Sequence, residues 1–129
     1  MLIVVAMKPD IVCINETWLN SNIEDHLVCI KGYQLIRQDR HCKKGRGTCF
    51  FLNNLLDFEV LHLNITLNNQ ISCLPIFVPY YNALFIAIYI PPNINSKDHT
   101  IITDTIIDCC DLLLNFKPSA SVYFMGDIN

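Results

Sequence analysis

The chain has 129 residues and a mass of 14.8 kDa, enough for one domain or part of one. Hydrophobic residues make up 52% of the sequence and charged residues only 16%, against roughly 25% in an average soluble domain. Much of the chain is therefore expected to be buried, either inside a larger body or against segments outside it. The net charge of −3 counts against nonspecific nucleic-acid binding by the chain as a whole, because phosphate neutralisation needs Lys and Arg.

The cysteine usage and the amino-terminal residues bear on the compartment. The seven cysteines are an odd number, with neither a C-x-x-C motif nor zinc-finger spacing, which predicts free thiols in a reducing environment. The opening residues MLIVVAM are too short for a secretory signal and lack the preceding positive charge. We therefore expect an intracellular protein, nuclear or cytoplasmic, and not a secreted one.

In chain order, the residues before Pro9 are interpreted as the end of a helix, because Pro9 would terminate it. Short β-branched runs bounded by turn residues then predict strands over 10–16, 33–38, 48–54, 58–65, 71–78 and 83–90. Most links between these runs are short, and only a short turn separates 48–54 from 58–65. Short links favour antiparallel neighbours, since parallel strands need a crossover of a dozen or more residues.

One stretch invites a different interpretation. No Asp, Glu, Lys or Arg occurs between Glu59 and Lys97, as in a membrane span. A spanning helix needs about 20 predominantly apolar residues, however, and Pro75, Pro79 and Asn82 interrupt this one. We therefore expect two buried strands joined near Pro79–Asn82, and no membrane association.

From Ser96 onward the apolar period changes to that of a helix. Apolar side chains recur at i, i+4, i+7, i+8 and i+11, at Ile102, Ile106, Cys109, Cys110 and Leu113. Asp104, Asp108 and Asp111 fall on the opposite face. Lys117 should end the helix because it precedes Pro118, and a strand over 122–127 would then return to the sheet by this helical crossover.

Two carboxylates follow apolar strands at opposite ends of the chain, Glu16 and Asp127. If their strands are neighbours, the two acids meet at one sheet edge. Carboxylate oxygens suit Mg²⁺, which takes one or two protein acids alongside waters and substrate phosphate. A phosphodiester site needs such a cation and an acceptor that orients the attacking water. The alternative for each acid is a turn or helix-cap residue.

Two further features could meet a phosphate. Tyr89, in the sequence IYIPPN, would end a strand and offer its hydroxyl; the alternative is a core or rim aromatic. Five of the nine basic residues fall in the stretch RQDRHCKKGR, at Arg37, Arg40, Lys43, Lys44 and Arg46. The alternative for this basic stretch is a solvated loop with a charged tip.

The order of these blocks resembles a known superfamily. PDIVCINETWL, GYQLIRQDR, GRGTCFFLNN, IAIYIPPN, a helix and VYFMGDIN follow one another as in endonuclease/exonuclease/phosphatase proteins, and more narrowly as in the apurinic-type endonuclease domain of non-LTR retrotransposons. NETWL and GDIN are similar to the family's Ser/Thr-Glu-Thr-Trp and Gly-Asp-Phe/Leu-Asn motifs. The resemblance implies a four-layer α/β sandwich of two packed mixed sheets flanked by helices, here incomplete.

Carried over by position, the resemblance implies a role for four residues. Glu16 matches the metal-binding Glu, with Mg²⁺ as the expected ion and Mn²⁺ as a substitute. Tyr89 matches the Tyr that contacts the scissile phosphate. Asp127 matches the Asp that orients or activates water, and Asn129 the Asn that hydrogen-bonds the phosphate. DNA is the implied substrate, with the basic stretch as a candidate contact.

The resemblance also implies what surrounds this segment. Family members have a strand bearing an Asn and then a helix before the region matching KPDIV, and a further acid and a Ser-Asp-His block after GDIN. Residues 1–129 are thus expected to be a partial domain with little or no turnover, followed in a full element by a reverse transcriptase in the same chain. The alternatives are a phosphatase or lipid phosphodiesterase of the same superfamily, and a noncatalytic relic or nucleic-acid-binding fragment.

Overall fold

The computed structural model describes residues 6–39, 47–62, 71–92 and 96–128. Within these ranges each predicted strand and the long helix have a counterpart, but the strand predicted over 58–65 is reduced to Glu59–Val60, with residues 63–65 outside the described ranges. The strands are β1 (Ile11–Asn15), β2 (Tyr33–Gln38), β3 (Thr48–Asn53), β4 (Glu59–Val60), β5 (Ser72–Val78), β6 (Ala83–Ile90) and β7 (Ser121–Ile128), and the helix is α1 (Ser96–Phe116). Ala6 and Met7 are helical, as predicted for the residues before Pro9.

The strands form two sheets. The first has the order β1-β3-β2 and is antiparallel throughout. The second has the order β4-β5-β6-β7; β6 and β7 are parallel and α1 connects them. The predicted helical crossover is therefore confirmed, since a parallel pair needs a long connection of this kind.

The prediction that short links join antiparallel neighbours is wrong at one place. β3 and β4 are separated by a short turn, yet β3 belongs to the first sheet and β4 to the second. The turn carries Leu56, which is buried in the core between the sheets, and its carbonyl accepts a hydrogen bond from Gln34 Nε2 at 3.1 Å. Burial of Leu56 makes the chain cross between the sheets instead of folding back on β3.

Two apolar layers hold the structure together. Between the sheets, strand residues of alternating position form one core with Leu56 of the turn after β3; the strand residues are Ile36, Phe50, Leu52, Leu74, Ile76, Val78 and Ala87. On the outer face of the second sheet, Cys109 of α1 packs against Cys73, Phe77 and Leu84, and the ring of Phe116 meets that of Phe77 edge-on at 5.3 Å. The chain is thus an α/β sandwich of two packed sheets with a helix on the second.

The turn between β5 and β6 confirms the interruption predicted at Pro79–Asn82. Pro79–Tyr81 form one 3-10 turn, and Asn82 ends it in the left-handed conformation with φ 46°, which Asn adopts more readily than most residues. The Asn82 side-chain nitrogen donates to the Ser119 carbonyl at 3.1 Å, which attaches this turn to the start of β7. In the part of the chain that the structure describes, no helix is long and apolar enough to cross a membrane.

The described cysteines are free thiols, and most of them are shielded. Burial raises the pKa of Cys13 from its usual 9.0 to about 11, and burial is also the main cause that raises the pKa of Cys49 to about 12. Unfolded thiols ionise at lower pH, so the stability of the fold should fall as pH rises from about 9 toward 11.

At pH 8 we expect iodoacetamide to modify the exposed Cys29 in the native chain and to spare Cys13 and Cys49 until denaturant is added, as read by mass spectrometry. Rapid native labelling of Cys13 would contradict this.

Candidate active site

The core between the sheets becomes polar at one end of the first sheet. The register of β1, β3 and β2 aligns Asn15, Thr48 and Gln38 in one row. Each of the three lies two positions from a core residue of its own strand. Side chains two positions apart share one face of a strand, so the row faces the second sheet. Thr48 is fully buried. The first sheet therefore ends in three polar side chains directed toward its partner.

A matching row ends the second sheet. The register pairs Ser72 with Tyr89 across β5 and β6, and Tyr89 with Asp127 across β6 and β7. Each of these residues lies two positions along its strand from Leu74, Ala87 or Met125, which pack in the core between the sheets. Side chains at this spacing share one face of the strand, so the row faces the first sheet. Ser72 and Tyr89 are each only 3% exposed, whereas Asp127 is exposed. The row therefore passes from a buried interior to an accessible carboxylate.

Side chains of the first row reach the second sheet at two points. Gln38 Oε1 accepts a hydrogen bond from the backbone N–H of Cys73 at 3.1 Å. Asn15 Nδ2 donates to the carbonyl of Ile88 at 3.4 Å, a contact between residues 73 positions apart in the chain. Two buried oxygens, Asn15 Oδ1 and Thr48 Oγ1, have no hydrogen-bond partner among the described residues.

Gly126 makes the second of these contacts possible. Its φ is 146°, and a Cβ atom added there would lie 1.8 Å from the Ile88 carbonyl oxygen and 2.7 Å from Asn15 Nδ2. No side chain fits in that space, so only glycine allows the Ile88 carbonyl of β6 and the Asn15 side chain of β1 to approach β7 this closely. We call the contact of Asn15, Ile88 and Gly126 the sheet junction.

The two predicted acids each follow a residue of the sheet junction. Glu16 comes directly after Asn15 and Asp127 directly after Gly126. The structure therefore brings together, at one end of the sandwich, two residues that lie 111 positions apart in the sequence. Tyr89 is beside Asp127 in the register. Asn129, the fourth predicted site residue, lies outside the described residues.

The backbone at Glu16 is unusual. Its φ is 54°, in the left-handed region, which costs a residue with a side chain about 1–2 kcal/mol. The next residue attaches this segment to the residue before β3: the N–H of Thr17 donates a hydrogen bond to the carbonyl of Gly47 at 3.2 Å. Glu16 itself is exposed. Strained residues of this kind cluster at functional sites, where the surrounding structure holds them in place.

The two carboxylates that follow the sheet junction in sequence suit a hard cation that keeps most of its waters. Among the described residues no group of three or more His, Cys, Asp or Glu could enclose a metal. Glu16 and Asp127 are exposed carboxylates at one end of the sandwich, and Mg²⁺ is commonly bound through one or two carboxylates, waters and substrate phosphate. The residues therefore fit Mg²⁺ or Mn²⁺ and do not provide the closed N/S ligand set of a structural zinc site.

One residue of the basic stretch, Arg37, does not fit its predicted role as a phosphate contact. Arg37 is largely buried; its Nε lies 3.1 Å from Asp25 and 3.4 Å from Asp39, and its Nη2 donates to the Ile23 carbonyl at 2.8 Å. Two carboxylates already neutralise this guanidinium, so it is poorly placed to bind a phosphate. The other four predicted contacts, Arg40, Lys43, Lys44 and Arg46, lie outside the described residues.

Sequence reasoning did not identify Asn15 and Gly126 as site residues. Both lie inside the motifs that carry the two acids, each directly before its acid, but no local pattern shows that the Asn15 side chain packs against Gly126. A glycine within a strand signals a bulge or a close approach of another backbone, and that signal was present in VYFMGDIN.

No known family model and no curated protein matches the chain, whereas its fold matches solved structures. TDP2 from C. elegans superposes with a TM-score of 0.68 at 16% identity, over 98% of this chain and 40% of that one. The human Nocturnin catalytic domain with bound sulfate superposes with a TM-score of 0.59 at 15% identity, over 96% of this chain and 52% of that one. The chain thus spans about half or less of either neighbour. Both neighbours belong to the endonuclease/exonuclease/phosphatase superfamily, and at these identities the likeness establishes only that this chain shares their fold.

Proposed function

We propose that residues 1–129 are part of a Mg²⁺-dependent endonuclease domain of the non-LTR retrotransposon type, which cleaves phosphodiester bonds of DNA. The single observation that supports the proposal is the sheet junction, because the acids of NETWL and GDIN, Glu16 and Asp127, each directly follow one of its residues. The superfamily fold supports the reaction class. The sulfate in the Nocturnin structure is a tetrahedral oxyanion like phosphate, which also agrees with this class.

In the proposed mechanism the chain's own residues bind the phosphate and orient the water. Glu16 and waters would hold the cation, which would supply positive charge to a phosphoryl oxygen if bound there. Asp127 accepts a hydrogen bond from the attacking water and aims it in line with the leaving oxygen. Tyr89 and Asn129 donate hydrogen bonds to the remaining phosphate oxygens. Mn²⁺ would serve in place of Mg²⁺.

DNA nicking tests the proposal. We expect residues 1–129 alone to leave a supercoiled plasmid intact in Mg²⁺. In the family the acid and the Ser-Asp-His block after GDIN act together with the residues named here, and a catalytic unit loses most of its effect without one of its members. The reading frame extended at both ends should nick the plasmid, and Asp127→Asn in that longer protein should reduce nicking about 100- to 10,000-fold. Release of phosphate from monoesters without nicking would instead favour a phosphatase, and Mg²⁺-dependent nicking by residues 1–129 would refute the expected inactivity.

The boundaries of the proposed domain need a separate measurement. Sequencing the transcript and genomic DNA across both ends should reveal a strand bearing Asn upstream and a Ser-Asp-His block downstream, with a reverse transcriptase farther on. Stop codons or frameshifts on both sides would support the noncatalytic relic.

DNA contact by the basic stretch is a further part of the proposal. Replacing Lys43, Lys44 and Arg46 with alanine should weaken DNA binding and flatten its salt dependence, by roughly 0.9 in the log–log slope for each phosphate that the variant no longer neutralises. A matched control removes three exposed lysines elsewhere, Lys31, Lys97 and Lys117. Equal effects of the two triple variants in a fluorescence anisotropy titration would show that only net charge matters.

A further inference from the structure

The side chain of Asn15, directly before Glu16, donates a hydrogen bond to the second sheet. Its Nδ2 lies 3.4 Å from the Ile88 carbonyl oxygen and occupies the space beside Gly126 that a side chain there would fill. On the other side of Glu16, Thr17 is attached to Gly47 at the start of β3. Glu16 therefore sits between one attachment to each sheet, with its backbone in the left-handed conformation.

Stability alone gives little reason for an asparagine at this position. A hydrogen bond at 3.4 Å is long and contributes weakly, and Asn15 Oδ1 is buried without a partner among the described residues. An apolar side chain would avoid burying that oxygen. The asparagine side chain instead orients the end of β1, because its Nδ2 donor holds that end over the Ile88 carbonyl. Ile88 is paired with Gly126, the residue before Asp127.

We propose that Asn15 is a positioning residue for the divalent-cation site, holding the Glu16 carboxylate at a fixed separation from Asp127 by joining β1 to β6 over Gly126. This inference rests on the proposed function, since it assumes that Glu16 binds a cation. Residues that orient a metal ligand typically change metal affinity about 10- to 100-fold when they are replaced.

Gln38 provides a matched comparison within the same chain. It too reaches from the first sheet to the second, at 3.1 Å, and it lies in the same polar row as Asn15. It is two strands away from β1, however, at roughly 10 Å by the usual strand spacing. A residue that merely holds the sheets together should behave like Gln38, whereas a positioning residue should not.

The test measures Mn²⁺ binding to residues 1–129 by electron paramagnetic resonance of the free ion, together with the melting temperature. Asn15→Ala should raise the dissociation constant about tenfold or more, and Asn15→Ser, a milder change whose hydroxyl is too short to reach Ile88, should do the same. Gln38→Ala should lower the melting temperature at least as much as Asn15→Ala and leave the dissociation constant within about twofold. Bound Mn²⁺ should also broaden the amide resonance of Asp127 less in Asn15→Ala than in the unmodified chain.

The outcomes separate this inference from the proposed function. Binding that depends on Glu16 but is unchanged in both Asn15 variants would overturn the positioning role and leave the proposed function standing. An equal loss of affinity in Gln38→Ala would also overturn it, because general loosening of the sandwich would then explain both results. If the unmodified chain binds no Mn²⁺ through Glu16, the proposed function fails and the inference fails with it.

Discussion

Replacing Gly126 with alanine is expected to lower the free energy of unfolding by about 3–5 kcal/mol, which is among the largest effects of single substitutions. The added Cβ would lie 1.8 Å from a backbone oxygen, the Ile88 carbonyl, which cannot move without breaking the pairing of β6 with β7. The φ of 146° adds strain for any residue with a side chain. Urea unfolding followed by circular dichroism measures the change.

Gly32 supplies the control for this substitution. It also has a positive φ, of 89°, but an added Cβ there meets nothing within 4 Å. Gly32→Ala should therefore cost only the backbone strain, about 1–2 kcal/mol. The difference between the two alanine variants isolates the close approach at the sheet junction, and equal costs would mean that the Ile88 carbonyl does not approach Gly126 as described.

Glu16→Gln is expected to weaken Mn²⁺ binding roughly 100-fold or more, because replacing even a residue that only orients a ligand costs up to about 100-fold. The amide keeps the size of the side chain but removes the charge that a hard cation requires. Isothermal titration calorimetry of the variant and the unmodified chain gives the two dissociation constants. Little change in the melting temperature is expected, since Glu16 is exposed.

Glu59→Gln is the matched control for the metal experiment. Glu59 is exposed on β4, at the edge of the second sheet away from β6 and β7. Both variants have the same net charge, so nonspecific attraction of Mn²⁺ to the chain is equal in the two. A similar loss of affinity in Glu59→Gln would mean that Glu16 is not a specific ligand.

Local patterns in the sequence predicted the elements well. Runs such as TCFFLNN and ALFIAIYI are β-branched, apolar and bounded by turn residues, and they form β3 and β6. The apolar period of Ile102, Ile106 and Cys109 predicted α1, and the length of that helix predicted the parallel return of β7. These features depend on residues near one another in the chain, which is why a single sequence reveals them.

The division into two sheets was decided by long-range packing. The turn after β3 has the length of a hairpin connection, but burial of Leu56 carries the chain across to the second sheet. Arg37 was predicted as a phosphate contact because it begins a basic stretch. Its environment depends on Asp25 and Ile23, more than ten residues earlier, which sequence proximity does not reveal.

By itself, the sequence determined which residues are candidates for chemistry, Glu16, Tyr89, Asp127 and Asn129, since carboxylates and a tyrosine at strand ends are visible in the pattern and in the family resemblance. Only the tertiary structure decided that Glu16 and Asp127 flank one sheet junction, and that Asn15 and Gly126 form it. The physical reason is that the junction is a contact between a side chain and a backbone 73 residues away, allowed by the absence of one Cβ atom. Neither periodicity nor composition encodes such a contact.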